Sequence, residues 1–242
     1  MTAASGADGG AAITAGDFEA RLIGWFQHDA PMTQHRFLRR LRSERSNLQH
    51  LWTLLANFQI SISRHFARHL AVVAGRVDDE RVRCILAQQL YDEMGKGAFE
   101  AAHINLFAKM MAQLEPWRPN PGGDRLLAPG RRIVPALAAT YGASDVNEAL
   151  GAIAVGEVVA EQLDLFLAEE FQRQEEIDPA DLEWLTLHAE LEVEHASSSV
   201  TLARLIPASG RAAALRGAHS LYDLGSAFLD EVHDLCYGGS PG

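Results

Sequence analysis

Glycine and proline are concentrated in a few short clusters of this 242-residue chain, and long stretches rich in Ala, Leu, Glu and Arg lie between them. Both residues are unfavourable in a helix interior, so the stretches between the clusters are suited to helices. Apolar residues recur there with the period of about 3.6 that is typical of amphipathic helices, and strand patterns are hard to find. The sequence therefore predicts an all-α fold of about seven helices around one core.

The same pattern indicates a simple domain organisation. Residues 1–15 are rich in Gly, Ala and Ser and are predicted to form a disordered tail. Residues 16–237 are predicted to form one helical domain, because no internal repeat and no linker marks a second one.

Start and stop signals define the expected helices. The helix from Ser46 should end near Gly75, and the helical period that stops at Glu93 should resume at Phe99. Residues 116–142 hold five of the nine prolines and are predicted to be a loop, long enough to carry a short helix or to cover a site. In chain order the helices are expected to start at Asp17, Pro31, Ser46, Asp78, Phe99, Ser144, Asp178 and near residue 209.

Charge and composition exclude some classes of partner. The net charge of −11 argues against binding to nucleic acid or to anionic membranes, which attract basic surfaces. No apolar run approaches the roughly 20 residues of a membrane span, and the N-terminus does not resemble a signal peptide. Cys84 and Cys236 are far apart in no metal-like spacing, so reduced thiols in a cytoplasmic protein are expected.

One stretch carries a candidate metal site. His188, Glu192 and His195 stand at offsets that place all three side chains on one helix face, within roughly 60° of one another. Two imidazoles and a carboxylate that converge in this way can hold a first-row transition metal. Polar decoration of a helix is the alternative interpretation of this stretch taken alone.

Two more groups could complete a site. Glu100 and His103 form an E-x-x-H pair within an apolar helical stripe, where a Glu–His hydrogen bond is the alternative interpretation. Glu157 continues another apolar stripe, in which an ionised carboxylate is costly unless a positive charge meets it. Glu161, one turn later, competes with Glu157, and either could be a surface residue paired with Arg or Lys. Together the three groups give three carboxylates and three imidazoles, a mixed set that suits iron or manganese.

The combined pattern resembles the haem-oxygenase-like di-iron oxidases, also called the iron-containing redox enzyme family. The resemblance begins in the segment from Tyr91 to His103, which is similar to the family's Tyr-x-Glu-x-Gly-x-Gly segment that ends in a ligand His. It continues at Glu157, 54 residues after His103, and ends in the stretch from His188 to His195, which starts 31 residues later. These separations resemble the family's and favour Glu157 over Glu161. Residue 192 is Glu here, where the family usually has Asp.

The resemblance covers roughly residues 47–205 and implies a ligand set. Glu93 and Glu100 both correspond to places where members carry the first carboxylate ligand. Glu100 is favoured, because no helix break is expected between it and His103. The ligands and catalytic residues implied by the resemblance are therefore Glu100, His103, Glu157, His188, Glu192 and His195, with Glu93 as the alternative to Glu100.

The resemblance also implies chemistry. Two Fe(II) ions, replaceable by Mn in vitro, would activate O2 to oxidise a small molecule, by N-oxygenation, oxidative C–C cleavage or a related reaction of specialised metabolism. An amino-acid-like or carboxylate-bearing metabolite is expected as substrate. Arg125, Arg131 and Arg132 are candidate anchors that are better explained as solvated. His65 and His69 match no family ligand and are interpreted as structural or as supporting the ligands.

A second class of function is retained. Relatives without a functional metal set share this fold, so a metal-free enzyme or small-molecule binding protein, thiaminase-like or quinone-synthase-like, is the alternative. The presence of a ligand-capable residue at all six positions argues against it. A small-molecule substrate is the expected partner, and formation of a homodimer is left open.

Overall fold

The computed structural model describes residues 13–44, 47–120 and 123–238, apart from the side chains of 179, 181 and 189–197. These residues contain ten α-helices and no β-strand, which confirms the all-α prediction. Within the same ranges, no helix combines the length and the apolar character needed to cross a membrane. Residues 1–12 of the predicted tail lie outside the description.

The helices follow one another with short connections. Helix α1 (Ala15–Glu19) continues directly as a π-helical segment, Ala20–Asp29. The other α-helices are α2 (Arg36–Ser43), α3 (Leu48–Phe58), α4 (Phe66–Ala74), α5 (Glu80–Glu93), α6 (His103–Leu114), α7 (Ala128–Tyr141), α8 (Val146–Gln172), α9 (Glu183–Leu205) and α10 (Arg211–Tyr237).

The long helix predicted from Ser46 to Gly75 is divided into α3 and α4. A π-helical segment, Gln59–Ser63, follows α3, and the chain then turns before α4 begins. Within it the hydroxyl of Ser61 donates a hydrogen bond to the carbonyl of Asn57, four residues earlier. Such back-bonding competes with the regular backbone pattern and often bends helices, which the apolar periodicity alone does not show.

Helix α7 lies within residues 116–142, which were predicted to be a loop that could carry a short helix. With 14 residues the helix occupies about half of the segment, more than the loop prediction allowed. Pro129 stands in the first turn, where its missing N–H has no helical partner to lose. Pro135 is inside the helix but exposed, so water can satisfy the carbonyl it leaves unpaired. Ile133, Leu137 and Tyr141 are buried on one face, four residues apart.

Helix α8 is the central element of the core. Its residues 149–155 are all buried, as expected for a helix surrounded by other helices, and it packs chiefly against α9 and α10. The N-cap is Asp145, one residue after the predicted Ser144, and its side chain accepts the N–H of Asn147. Glu157 follows the fully buried stretch by two residues, so a carboxylate enters the core at this level.

Glycines allow α8 and α10 to approach closely. A Cβ atom on Gly217 would lie 1.8 Å from the carbonyl oxygen of Glu148, and one on Gly151 would lie 1.9 Å from that of Ala214. Both obstacles are backbone atoms, which cannot move away as a flexible side chain can. Each position therefore requires the absence of a side chain.

Replacing Gly217 by Ala should destabilise the fold by about 3 kcal/mol, because the extra methyl forces the two central helices apart. Gly24→Ala is the matched control, since a Cβ atom there meets nothing within 4 Å and Ala is the better helix former. Urea unfolding of the two variants measures the difference. A Gly217→Ala protein as stable as the Gly24→Ala protein would contradict this account of the α8–α10 contact.

Candidate metal centre

Three ligand-type side chains from three helices converge next to the core. One donor atom from each of Glu93, His103 and His188 lies within 4.8 Å of the other two. Glu93 ends α5, His103 begins α6, and His188 lies in α9. Both imidazoles are buried, and the Glu93 side chain is only 15% exposed. Polar groups that are shielded from water need a partner within the protein or a bound ligand. One carboxylate and two imidazoles are groups that can bind a metal cation.

A left-handed turn brings Glu93 and His103 together. Gly95, Lys96 and Gly97 have positive φ angles of 65°, 54° and 88°. A Cβ atom on Gly95 would lie 2.4 Å from the backbone of Ala101, so only glycine fits this position. The reversal of the chain places the first residue of α6 beside the last residue of α5.

The contact between these two residues leaves a nitrogen without a hydrogen bond. Nδ1 of His103 lies 3.2 Å from Oε1 of Glu93. The direction of approach does not meet hydrogen-bond geometry, and the buried Nδ1 has no hydrogen-bond partner among the described residues. A buried polar atom without a hydrogen bond lowers the stability of the folded state by roughly 1–3 kcal/mol. A divalent cation that accepts a lone pair from both Nδ1 and Oε1 would remove this cost, so the residues present fit a metal ion.

The orientation of His188 is set by its own helix. The ring Nδ1 lies 2.8 Å from the carbonyl oxygen of Trp184, and since a carbonyl only accepts, Nδ1 donates. In the neutral ring the remaining lone pair is then on Nε2, the arrangement that metal-ligating histidines usually have. The indole of Trp184 packs 4.1 Å from the imidazole, and the ring of His103 lies 4.7 Å away on centroid distances.

Glu157 supplies a further buried carboxylate. It is 7% exposed, and its side chain lines the same cavity as Glu93, His103 and His188. Burial, with a contribution from the negative charge of Glu157, raises the pKa of Tyr141 far above its ordinary value. The Tyr141 phenol therefore keeps its proton beside the carboxylate.

The cavity has a volume of about 130 Å³ and extends from the three clustered ligands along α8. Most of its wall is apolar. Two polar residues of the wall, His69 and Asp164, were not among the ligands predicted from the sequence. Asp164 is buried and stands seven residues after Glu157 on α8, so the helical period could have identified it. The apolar and aromatic part of the wall includes Phe58, Ile62, Phe66, Leu137, Tyr141, Leu163 and Trp184.

Glu100 does not lie where the sequence predicts. It is exposed and belongs to a 3-10 turn, Phe99–Ala101, and Ala102 is extended before α6 begins. The expectation that no helix break separates Glu100 from His103 is therefore wrong. The pairing of E-x-x-H side chains requires a continuous helical turn, which is absent here. Glu93, the alternative, is the carboxylate that meets His103.

The other predicted residues divide into three groups. Glu161 is half-buried outside the cavity wall, and burial raises the pKa of its carboxyl. The side chains of Glu192 and His195 lie outside the described residues, so their convergence with His188 stays a prediction. The candidate anchors Arg131 and Arg132 form surface ion pairs with Asp124 and Glu231, respectively, and line no part of the cavity.

The fold and the site define an all-α protein with a buried carboxylate–imidazole centre. The sequence matches the model of the iron-containing redox enzyme family over residues 58–226, most of the chain. The chain belongs to this family, as its motifs predicted. No curated protein matches the sequence.

Solved structures show the same fold. Two crystal structures of a CADD-like protein of unknown function from Nostoc punctiforme PCC 73102, at 2.00 and 1.35 Å resolution, superpose with a TM-score of 0.74 each. Their sequences are 13% and 12% identical to this one. The matches cover 91% and 94% of this chain, and 97% and 98% of the other. At that level of identity the likeness concerns the fold.

Proposed function

We propose that the protein is a non-haem di-iron oxidoreductase that uses O2 to oxidise a small organic molecule. The observation that supports this most directly is the buried Nδ1 of His103, which has no hydrogen-bond partner among the described residues and faces the carboxylate of Glu93. The chain also belongs to a family of iron-containing redox enzymes, and iron is a metal that a carboxylate and an imidazole can bind.

The proposed ligands extend the described cluster. Glu93, His103 and His188 would bind iron directly, and Glu157, which enters the same cavity from α8, would supply a further carboxylate ligand. Glu192 and His195 would complete the set, because their offsets place them on the same face of α9 as His188. This assignment replaces Glu100 by Glu93.

The chain would also hold and shield the reacting groups. When bound, Fe(II) supplies the electrons and the open coordination positions at which O2 reacts. Trp184 packs against His188 and keeps its ring fixed, while Phe58 and Leu163 help to keep bulk water out of the cavity. Tyr141, with its raised pKa, holds a proton beside Glu157.

The cavity limits how a substrate binds. Its described wall contains no Lys or Arg, so a carboxylate-bearing or amino-acid-like substrate would have its negative charge met by the metal ions. N-oxygenation and oxidative C–C cleavage both need the reacting atom held beside the metal centre in a dry site. Either reaction is compatible with a mainly apolar cavity wall.

Anaerobic addition of Fe(II) followed by metal analysis tests the proposal. About two irons should bind per chain, and exposure to air should then consume O2 in an iron-dependent manner. His103→Ala should abolish both while leaving the far-UV circular dichroism unchanged. A protein that binds no iron, or a variant that binds as much as the parent, would favour the metal-free alternative on the same fold.

A further inference from the structure

The cavity beside the metal centre selects by size and polarity. Its volume of about 130 Å³ is slightly smaller than the roughly 150 Å³ of an apolar protein cavity that accommodates benzene. Phe66, Leu137 and Leu163 are among the apolar side chains of its wall. A molecule of about six to eight non-hydrogen atoms fits this space without rearrangement of the core.

Charge in the wall disfavours an anion inside the cavity. Glu93, Glu157 and Asp164 all line it, and no Lys or Arg does so among the described residues. A carboxylate group could therefore bind only at the metal ions, and the part of a ligand that enters the apolar space must be uncharged.

One part of the wall can form a directional contact. The ring of His69 stacks on the ring of Tyr141 with a centroid distance of 4.7 Å and an interplanar angle of 19°. Both residues line the cavity. Nε2 of His69 is buried and has no hydrogen-bond partner among the described residues. Burial, aided by the nearby His65 and Arg68, lowers the pKa of His69 to about 4, so the ring is neutral near pH 7.

A purely structural role for His69 leaves this nitrogen unexplained. Stacking on Tyr141 requires only a ring, and Phe would provide it without burying an unsatisfied polar atom at a cost of roughly 1–3 kcal/mol. A neutral imidazole can donate or accept one hydrogen bond, and it does so without attracting a charged group.

We propose that His69 and Tyr141 form a recognition site for the single polar, uncharged group of a compact and mainly apolar substrate. This inference rests on the proposed function in that the bound molecule is taken to be the one oxidised at the metal centre. Because His69 is separate from the ligand cluster, the two ideas can fail independently.

Binding of phenol, toluene and benzoate to the metal-free protein, followed by protein NMR, tests the site. Phenol should bind roughly five- to tenfold more tightly than toluene, which has the same size but lacks the hydroxyl. Benzoate should bind more weakly than either. His69→Phe should abolish the preference for phenol and retain toluene binding, because the ring remains and its nitrogens are lost. Tyr141→Phe should reduce the preference and serves as the second variant if His69→Phe does not fold.

His65→Phe is the matched control, since His65 lies one turn earlier on the chain and outside the cavity wall. It should keep the preference of the parent protein. Any of four results would overturn the proposal. The preference for phenol could survive both His69→Phe and Tyr141→Phe, or the parent protein could bind phenol and toluene equally. Benzoate could bind most tightly of the three, or no probe could bind at all. Iron binding by the same preparations separates these results from failure of the proposed function, because a phenol site without iron would support a metal-free binding protein.

Discussion

Replacing Glu93 by Ala should weaken Fe(II) binding by at least about 100-fold. The side chain is largely buried, and its Oε1 lies 3.2 Å from Nδ1 of His103. Loss of residues that merely support a metal ligand already costs 10–100-fold, so loss of a ligand should cost at least as much. Anaerobic competition with a chromogenic chelator measures the affinity.

Glu100→Ala is a matched control for this prediction, because it removes the same charged group only seven residues along the chain. Glu100 is exposed, and an exposed substitution away from the site should change the affinity by less than about twofold. Loss of iron in Glu100→Ala with normal binding in Glu93→Ala would contradict the ligand assignment. It would mean that the turn Phe99–Ala101 refolds as the metal enters.

The choice between these two carboxylates shows where sequence reasoning is insufficient. The spacing of E-x-x-H is correct for a helix, and the neighbouring apolar residues continue the helical period. What decides the outcome is the left-handed run from Gly95 to Gly97, which turns α5 back towards α6. The glycines in the sequence indicate that a turn is possible. The direction of the turn depends on the close contact of Gly95 with the backbone of Ala101, which the sequence does not show.

In helix α7 the proline content and the apolar periodicity of the sequence point to different structures. Proline density argues for a loop, yet Pro129 and Pro135 occupy positions where the helix tolerates them. The four-residue spacing of Ile133, Leu137 and Tyr141 was available in the sequence and could have identified the buried face of the helix. Packing of this face against the core outweighs the helix cost of one exposed proline.

The long helices and the burial of single residues on them were the most predictable parts. The burial of Glu157 follows from the apolar stripe before it, and the placement of His188 follows from its position on a long helix. The wall of the cavity was less predictable, because His69, Tyr141 and Asp164 come from three different helices. Only packing of α4, α7 and α8 brings them to one space.

Saturating Mn(II) should raise the melting temperature of the metal-free protein by about 5–11 °C. A ligand that binds only the folded state stabilises it by RT ln(1 + [L]/Kd), about 2.7 kcal/mol at a hundredfold excess over Kd. For a chain of this size each kcal/mol shifts the midpoint by roughly 2–4 °C. The physical origin is the pairing of the His103 nitrogen and of the carboxylates of Glu93 and Glu157. Melting curves with and without Mn(II) measure the shift, and His103→Ala should show much less of it.

The gain from Mn(II) should fade at acid pH, because protons compete with the metal for the same nitrogen and oxygen atoms. His69 makes a separate contribution to the pH dependence of stability, and this contribution is the same with and without Mn(II). Its pKa falls from 6.5 to about 4 on folding, so the unfolded state binds more protons between these values. Stability from this group is therefore present above pH 6.5 and declines as pH falls towards 4. It cancels when the two curves are subtracted, and the remaining difference reports the metal ligands.

The stabilisation should be greatest locally between residues 91 and 103. Glu93 and His103 stand on either side of the left-handed turn, so a shared metal ion would join the end of α5 to the start of α6. Lys96 in particular adopts a conformation that costs a non-glycine residue about 1–2 kcal/mol, which makes this segment the easiest part of the site to open without metal. Amide hydrogen exchange should therefore slow in residues 91–103 when Mn(II) is added, and far less in the α8–α10 contact. Unchanged exchange in this segment, or an unchanged melting temperature at saturating metal, would show that these side chains do not hold the ion.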